Sequence, residues 1–250
     1  IYSPNTIAID PTGTFALVTS VDGRRLCRLD LLTRALIAVA GNGAYGYQLG
    51  SGPFMIMKNP YGVAISNNGR FALFTDSGSI IYSLDLVTNV VTHLCTAAAA
   101  VQSITISKDS STAYISEFNN HKIVRIDIAS RSLHHVVGTG IVGSDDGPAE
   151  SARLNRPMSI TLSNDESRLF ISEFYDNAIR SFEFTGLPVT PSPTISPYDS
   201  TGRVYSLAGS TYSGNNDDTG PFATFNYPHK VILTPGGVYG IVCDTMNHVI

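Results

Sequence analysis

The chain has 250 residues, of which 43% are hydrophobic and 14% are charged, and its formal net charge at pH 7 is −4. A mildly acidic charge disfavours a nucleic-acid partner, whose phosphates favour a clustered basic face. No apolar run approaches the ~18 residues that a membrane span needs, so the sequence predicts a globular domain with no membrane span.

Five short runs in which apolar and polar residues alternate recur along the chain. They are NTIAID (5–10), YGVAIS (61–66), QSITIS (102–107), MSITLS (158–163) and HKVILT (229–234). Each run begins a core of about 40 residues that contains further runs of strand length separated by turn residues, and a Gly-rich loop precedes this core in some units. The period of two, with frequent Val, Ile and Thr, favours strands over helices. Four short strands per unit predict an antiparallel meander, and radially repeated meanders form a β-propeller.

The residues that repeat between units resemble those of the NHL repeat. The likeness is carried by the segments DG (146–147), ARLNRP (152–157), ATFNYP (223–228), NHKI (120–123), RID (125–127), NH (247–248) and LAG (207–209). It implies an all-β, six-bladed propeller, of which about four and a half blades are expected here. We predict a single, incomplete propeller domain, part of a longer protein, with units at 1–41, 42–95, 96–138, 139–209 and 210–250. The absence of Trp disfavours the WD40 and Asp-box repeats.

The candidate binding residues directly follow the proline before each run, or Val101 in the third unit. In a propeller the first strand of each blade lines the central channel, so its first residue faces a channel mouth. The side chains at these positions differ between units although the neighbouring residues repeat. Such variation is expected of a surface whose residues can be adapted to binding. The predicted binding residues are Asn5, Tyr61, Gln102, Met158 and His229.

Acidic residues recur about ten positions after the first runs. Because an active site occurs once, the repetition of Asp76, Glu117, Glu173 and Asp244 predicts structural acceptors for turn amides and Asn-His pairs. The acidic loops at 145–147 and 215–218 have the oxygen density that Ca²⁺ prefers but lack the ligand spacing of a calcium loop. The first is interpreted as an Asp-Gly turn. No cofactor is predicted, and calcium or zinc are the alternatives.

An enzymatic function is the main alternative. Some NHL-type propellers similar to this chain, such as the peptide-amidating lyase, use Pro-His pairs from several blades to hold zinc in the channel. Here only Pro228-His229 fits, and His93, His134 and His135 are expected on outer fourth strands. One imidazole does not make a catalytic zinc site. We therefore predict a non-catalytic, rigid module that binds a protein or a glycan. A metal-dependent lyase or hydrolase, and a structural subunit of an extracellular assembly, remain open.

The remaining features concern the compartment. Cys27, Cys95 and Cys243 lie in apolar runs and are predicted to be buried free thiols, with a Cys27–Cys95 bridge as the alternative. Low charge and many Ser and Thr residues favour an extracellular or cell-surface location, although no N-x-[ST] glycosylation sequon occurs. The four prolines of segment 186–202 predict a solvated loop between the third and fourth strands of its unit, or a contact or O-glycosylation arm.

Overall fold

The computed structural model describes residues 1–50, 52–185, 201–234 and 236–250. These residues form 19 strands in five sheets and four short 3-10 turns, so the protein is all-β as predicted. Across the described ranges, no helix is both long and apolar enough to cross a membrane. Most of the predicted insertion (186–200) lies outside the described residues.

The first three sheets are four-stranded meanders in which neighbours in sequence are neighbours in space. The first contains β1 (Pro4–Ile9), β2 (Phe15–Ser20), β3 (Arg25–Asp30) and β4 (Leu36–Ala40). The second contains β5 (Pro60–Ile65), β6 (Phe71–Asp76), β7 (Ile80–Asp85) and β8 (Val91–Thr96). The third contains β9 (Val101–Ile106), β10 (Thr112–Glu117), β11 (Lys122–Asp127) and β12 (Leu133–Val137).

The last two sheets depart from the four-strand pattern. The fourth consists of β13 (Gly147–Pro148), β14 (Pro157–Leu162), β15 (Arg168–Glu173), β16 (Ala178–Phe184) and β17 (Gly202–Gly209), in the order β13-β17-β16-β15-β14. The fifth contains β18 (Pro228–Leu233) and β19 (Gly240–Asp244). The 3-10 turns are Gly52–Phe54, Phe118–Asn120, Gly220–Phe222 and Thr245–Asn247. Repeated antiparallel meanders of this kind are consistent with a β-propeller-like fold, whereas the number of blades stays a prediction.

The chain forms two compact units. Unit 1 contains Ile1–Ile115 and Ile126–Ser132, and unit 2 contains Ser116–Arg125 and Leu133–Ile250.

Short polar side chains fix the turns between strands. Asp10 accepts the N–H groups of Thr12, Thr14 and Phe15, and these bonds hold its pKa at about 2 although burial opposes them. Asp85 closes the turn between β7 and β8 in the same way, because it accepts the N–H groups of the residues two and three positions later. The repeated Asp and Ser residues of the sequence therefore define where strands end.

A buried hydroxyl joins the first strands of neighbouring sheets. In unit 1, Thr75 accepts the N–H of Gly62 at 2.9 Å and donates to the carbonyl of Val101 in the next sheet at 3.0 Å. Thr19 makes the equivalent bond to the carbonyl of Tyr61 at 2.9 Å. In unit 2, Ser172 accepts from Ser159 and donates to the carbonyl of His229 at 3.1 Å. Tyr61, Gly62 and His229 lie at the bulges of β5 and β18, so these bonds satisfy backbone groups that the ladder leaves without a partner there.

The core of unit 1 lies between its first two sheets. It contains Leu17 and Leu26 from the first sheet and Phe74 and Tyr82 from the second, and Met55 and Met57 from the connecting loop are fully buried in it. Gly62 lets β5 approach β9 closely, because a Cβ there would lie 3.1 Å from the backbone nitrogen of Ile104. This packing holds β1, β5 and β9 next to one another within unit 1.

Candidate binding site

The five predicted binding residues occupy equivalent positions. Each is the second residue of the first strand of its meander, and each is half-buried: Asn5 on β1, Tyr61 on β5, Gln102 on β9, Met158 on β14 and His229 on β18. In the fourth sheet the meander begins at β14, because the two-residue β13 lies at the opposite edge. In unit 1, β5 contacts both β1 and β9, and in unit 2, β14 contacts β18. The structure thus brings three of the residues onto neighbouring strands of one unit and two onto neighbouring strands of the other. Their convergence on one channel stays a prediction.

Two of these residues have notable polar environments. The side-chain oxygen of Gln102 is buried and has no hydrogen-bond partner among the described residues. Burial lowers the pKa of His229, and the charge of Lys230 lowers it further, so the imidazole is neutral at pH 7. In the part of the chain that the structure describes, no group of three or more His, Cys, Asp or Glu residues has the arrangement of a metal site.

An aromatic cluster lies in unit 2 and was not predicted from the sequence. It consists of Phe118, Phe174, Tyr175 and Tyr227. The ring centroids of Phe174 and Tyr227 are 4.7 Å apart, and those of Tyr175 and Tyr227 are 5.7 Å apart with an interplanar angle of 88°. Phe118 meets Phe174 edge-on at 6.3 Å. Tyr175 remains 44% exposed, so one wall of the cluster is open to solvent.

Arg156 covers two rings of this cluster. Its guanidinium carbon lies 4.5 Å from the centroid of Tyr175 and 5.5 Å from that of Phe118, which is the geometry of a cation–π contact. The cluster lies at the end of the sheets where first strands begin, because Pro157 of β14 pairs with Glu173 at the end of β15. Phe174 follows that glutamate directly, and Met158 stands two residues after Arg156.

Backbone geometry fixes where the cluster's side chains point. Arg156 and Tyr227 precede Pro157 and Pro228, and both have a left-handed backbone, with φ of 52° and 57°. This conformation is uncommon for residues with a side chain. It is held by hydrogen bonds: the N–H of Arg156 donates to Nδ1 of His121 at 3.1 Å, and the N–H of Tyr227 donates to Oδ1 of Asn177 at 2.9 Å.

The Asn-His pairs lie at turns and also link neighbouring sheets. His121 is the left-handed C-cap of the turn Phe118–Asn120, and its side chain accepts from the sheet that follows. Its partner Asn120 donates to Glu117 at 3.0 Å, and Asn247 likewise donates to Asp244 at 2.6 Å. These bonds confirm that the acids at the strand ends accept from neighbouring Asn side chains.

A buried ion pair includes Glu173, the residue directly before Phe174 of the cluster. Arg180 is 1% exposed and donates to Glu173 at 2.8 Å and to Asp146 at 2.6 Å. Glu173 also accepts the N–H of Asn155 at 2.9 Å, yet burial dominates and raises its pKa to about 7. Asp146 accepts the N–H of Ser206 as well. The interpretation of 145–147 as a simple Asp-Gly turn was thus wrong, because Gly147 belongs to β13 and the Asp146 carboxylate holds Arg180.

The cysteines and outer histidines were placed well by the sequence. Cys27 and Cys95 are buried and free as predicted, and Cys243 is free but only half-buried. Burial raises the pKa of Cys95 to about 11, so its thiol is protonated and unreactive at pH 7. His93, His134 and His135 lie on β8 and β12, the fourth strands of their sheets, as expected.

The aromatic cluster did leave a signal in the sequence. The tetrapeptide ISEF occurs twice, at 115–118 and 171–174, and its phenylalanines are Phe118 and Phe174. The sequence-based prediction used only the glutamate of this motif and not the phenylalanine that follows it. Arg156 and Tyr227 also share a position, since each stands between the Asn and Pro of an N-x-P motif.

Comparisons with known proteins support the fold and leave the family open. No family model matches the chain, so the NHL resemblance rests on the motifs alone. The protein SUPPRESSOR OF QUENCHING 1, chloroplastic, of Arabidopsis thaliana is 23% identical over 185 residues, which cover 71% of this chain and 14% of that protein.

Three solved structures are similar in fold. An auxiliary nutrient binding protein from Bacteroides thetaiotaomicron has a TM-score of 0.73 at 21% identity, covering 98% of this chain and 57% of that one. A protein of unknown function from the same organism has a TM-score of 0.68 at 18% identity over 92% of this chain and 54% of that one. Hydrazine synthase of Kuenenia stuttgartiensis has a TM-score of 0.59 at 15% identity over 98% of this chain and 74% of that one. The chain thus spans little more than half of the first two structures and a small part of the plant protein.

Proposed function

We propose that this chain is a non-catalytic binding module that presents a preformed site for a glycan or a protein. The observation that carries the proposal is the aromatic cluster with Arg156 stacked on Tyr175 at 4.5 Å. Aromatic and arginine side chains dominate the binding energy of interfaces when they are held rigidly. A site that is already ordered loses little entropy when a ligand binds.

In unit 2, the first-strand residues Met158 and His229 are proposed as further contacts near the cluster. Asn5, Tyr61 and Gln102 are proposed as binding residues of unit 1. The nutrient-binding name of one structural neighbour is compatible with this function. We also propose that the module works outside the cell or at its surface, where ligands of this type are met.

The test is a binding measurement on the purified protein with an array of glycans and with candidate protein ligands. Replacing Tyr175 by Ala should weaken the binding that the array detects by about 10-fold or more, since truncated aromatic hot spots cost roughly 2 kcal/mol. Tyr212→Ala is the matched control, because Tyr212 is 79% exposed and outside the cluster. Equal affinity of the Tyr175→Ala variant and the unchanged protein would overturn the proposal.

The non-catalytic part of the proposal has its own test. The purified protein should contain no stoichiometric zinc or calcium, and chelation with EDTA should leave ligand binding unchanged. A bound metal at one equivalent, together with loss of binding on chelation, would favour the metal-dependent lyase or hydrolase instead.

A further inference from the structure

We infer that the ligand of the aromatic cluster carries a carboxylate and is an oligosaccharide that contains uronic acid. This inference rests on the proposed binding function and names the class of ligand. It starts from the charge of Arg156. Among the described residues, Arg153, Arg168 and Arg180 in unit 2 each form an ion pair with an Asp or Glu, whereas Arg156 has no acidic partner there.

The guanidinium of Arg156 is nevertheless held in place. It is half-buried, stacked on Tyr175 and close to the ring of Phe118, and its own backbone N–H is fixed by His121. A planar guanidinium held on aromatic rings presents its donors as a fork, and this fork matches the two oxygens of a carboxylate. An anion is therefore the ligand group that complements the guanidinium of Arg156.

The rest of the site favours a sugar over a peptide. An extended peptide gains affinity by bonding to free backbone groups at a sheet edge. At this end of the sheets the N–H groups of Arg156 and Tyr227 are already used, and the next residues, Pro157 and Pro228, have none. What remains is the solvent-exposed part of Tyr175, with a second ring at 88° to it. Ring faces and tyrosine hydroxyls suit the apolar face and the hydroxyl groups of a pyranose.

The experiment compares matched ligands on the full chain by calorimetry. The probes are oligogalacturonate and oligoglucuronate, each alongside its carboxyl methyl ester, which has the same linkage but no charge. We expect one of the acids to bind, with about 10-fold or greater weakening for its ester and with affinity that falls as salt rises. Arg156→Gln should weaken binding of the acid to the level of the ester and leave binding of the ester unchanged.

The controls separate this inference from the proposed function. Arg203→Gln removes an exposed arginine of β17 and should change neither affinity. Arg156→Lys keeps the charge without the forked donors, so its affinity for the acid should lie between those of the unchanged protein and Arg156→Gln. The comparison of acid and ester needs no variant, so it remains valid if both variants fold poorly. Two outcomes would overturn the uronate inference alone. One is equal binding of the acid and the ester. The other is Tyr175-dependent binding of a neutral glycan, a protein or an oligoglutamate peptide, with no binding of either uronate. Absence of any Tyr175-dependent binding would overturn the binding function with it.

Discussion

His121 accepts the backbone N–H of Arg156 through its Nδ1 at 3.1 Å, and Asn177 does the same for Tyr227 through its side-chain oxygen. The two acceptors occupy equivalent left-handed positions, with φ of 54° and 48°. One sheet after another thus uses a side chain from the turn between its second and third strands to fix the backbone that enters the next sheet. The imidazole of His121 and the amide of Asn177 thus have the same role, which is to accept the N–H of a residue with a left-handed backbone.

This equivalence predicts that His121→Asn folds as stably as the unchanged protein, because Asn supplies the acceptor and tolerates a left-handed backbone. His121→Ala removes the acceptor and should cost about 1–2 kcal/mol of unfolding free energy. Urea denaturation at pH 8 measures both. A His121→Asn variant as unstable as His121→Ala would contradict the equivalence.

The same bond predicts a pH dependence. Burial, together with the charge of Arg156, lowers the pKa of His121 below its usual 6.5, while Asp176 opposes this shift. Between the lowered pKa and 6.5 the unfolded chain holds more protons than the folded protein, so this group's stabilising contribution is complete above 6.5 and is lost as pH falls. Subtracting the stability curve of His121→Asn from that of the unchanged protein should isolate this loss. A flat difference curve between pH 5 and 8 would count against it.

The pKa of Glu173 predicts a dependence of stability on pH that has the opposite sign. Its pKa is raised from 4.5 to about 7 by burial, so the folded protein holds the extra proton between these values. Stability should therefore fall as pH rises through this window, by about 3 kcal/mol at most. Glu173→Gln should remove this slope. Glu183→Gln is the control, because Glu183 pairs with Arg168 at a partly exposed site; a slope that survives in Glu173→Gln would refute the assignment.

Tyr82 and Arg180 occupy equivalent positions in their sheets, where each donates to the acid at the end of the second strand through a different group. Tyr82 donates its hydroxyl to Asp76 at 2.9 Å, just as Arg180 donates to Glu173, and burial raises the pKa of the Tyr82 phenol far above its usual value. The ring also stacks on Phe74, with centroids 4.9 Å apart. Tyr82→Phe keeps this stacking and removes only the donor.

We expect Tyr82→Phe to lower the unfolding free energy by about 1–3 kcal/mol, since the buried Asp76 carboxylate loses a partner. Urea denaturation measures the change, and Tyr212→Phe at an exposed position should change nothing. Equal stability of Tyr82→Phe and the control would show that the three backbone N–H donors of Asp76 are sufficient.

The sequence predicted the fold well because its local signals coincide. In three of the five units a proline, the alternating run and a closing acid mark the same strand pair; Ser20 replaces the acid in the first unit and Val101 the proline in the third. The first strands begin at Pro4, Pro60, Val101, Pro157 and Pro228, one residue before the predicted runs. The site was harder to predict because its parts belong to different repeats. Phe118, Arg156 and Tyr227 come from three of them, and only the packing of neighbouring sheets brings their rings together.

Buried polar contacts were the second thing that the sequence did not reveal. Arg180 lies in an alternating run where an exposed arginine is the ordinary expectation, and its partner Asp146 is 34 residues away. A pair so distant along the chain cannot be found from local spacing. The hydroxyl bridges between first strands share this property, because Thr75 and Val101 are 26 residues apart.

The hydroxyl bridges yield a last prediction. Thr75 is fully buried and joins the N–H of Gly62 to the carbonyl of Val101. Thr75→Val has nearly the same shape but leaves both backbone groups without their partner, so it should cost about 1–3 kcal/mol. Thr75→Ser keeps the hydroxyl and loses one methyl group, which should cost about 1 kcal/mol. Urea denaturation ranks the variants, and a valine variant as stable as the serine variant would mean that packing, not the hydroxyl, joins these strands.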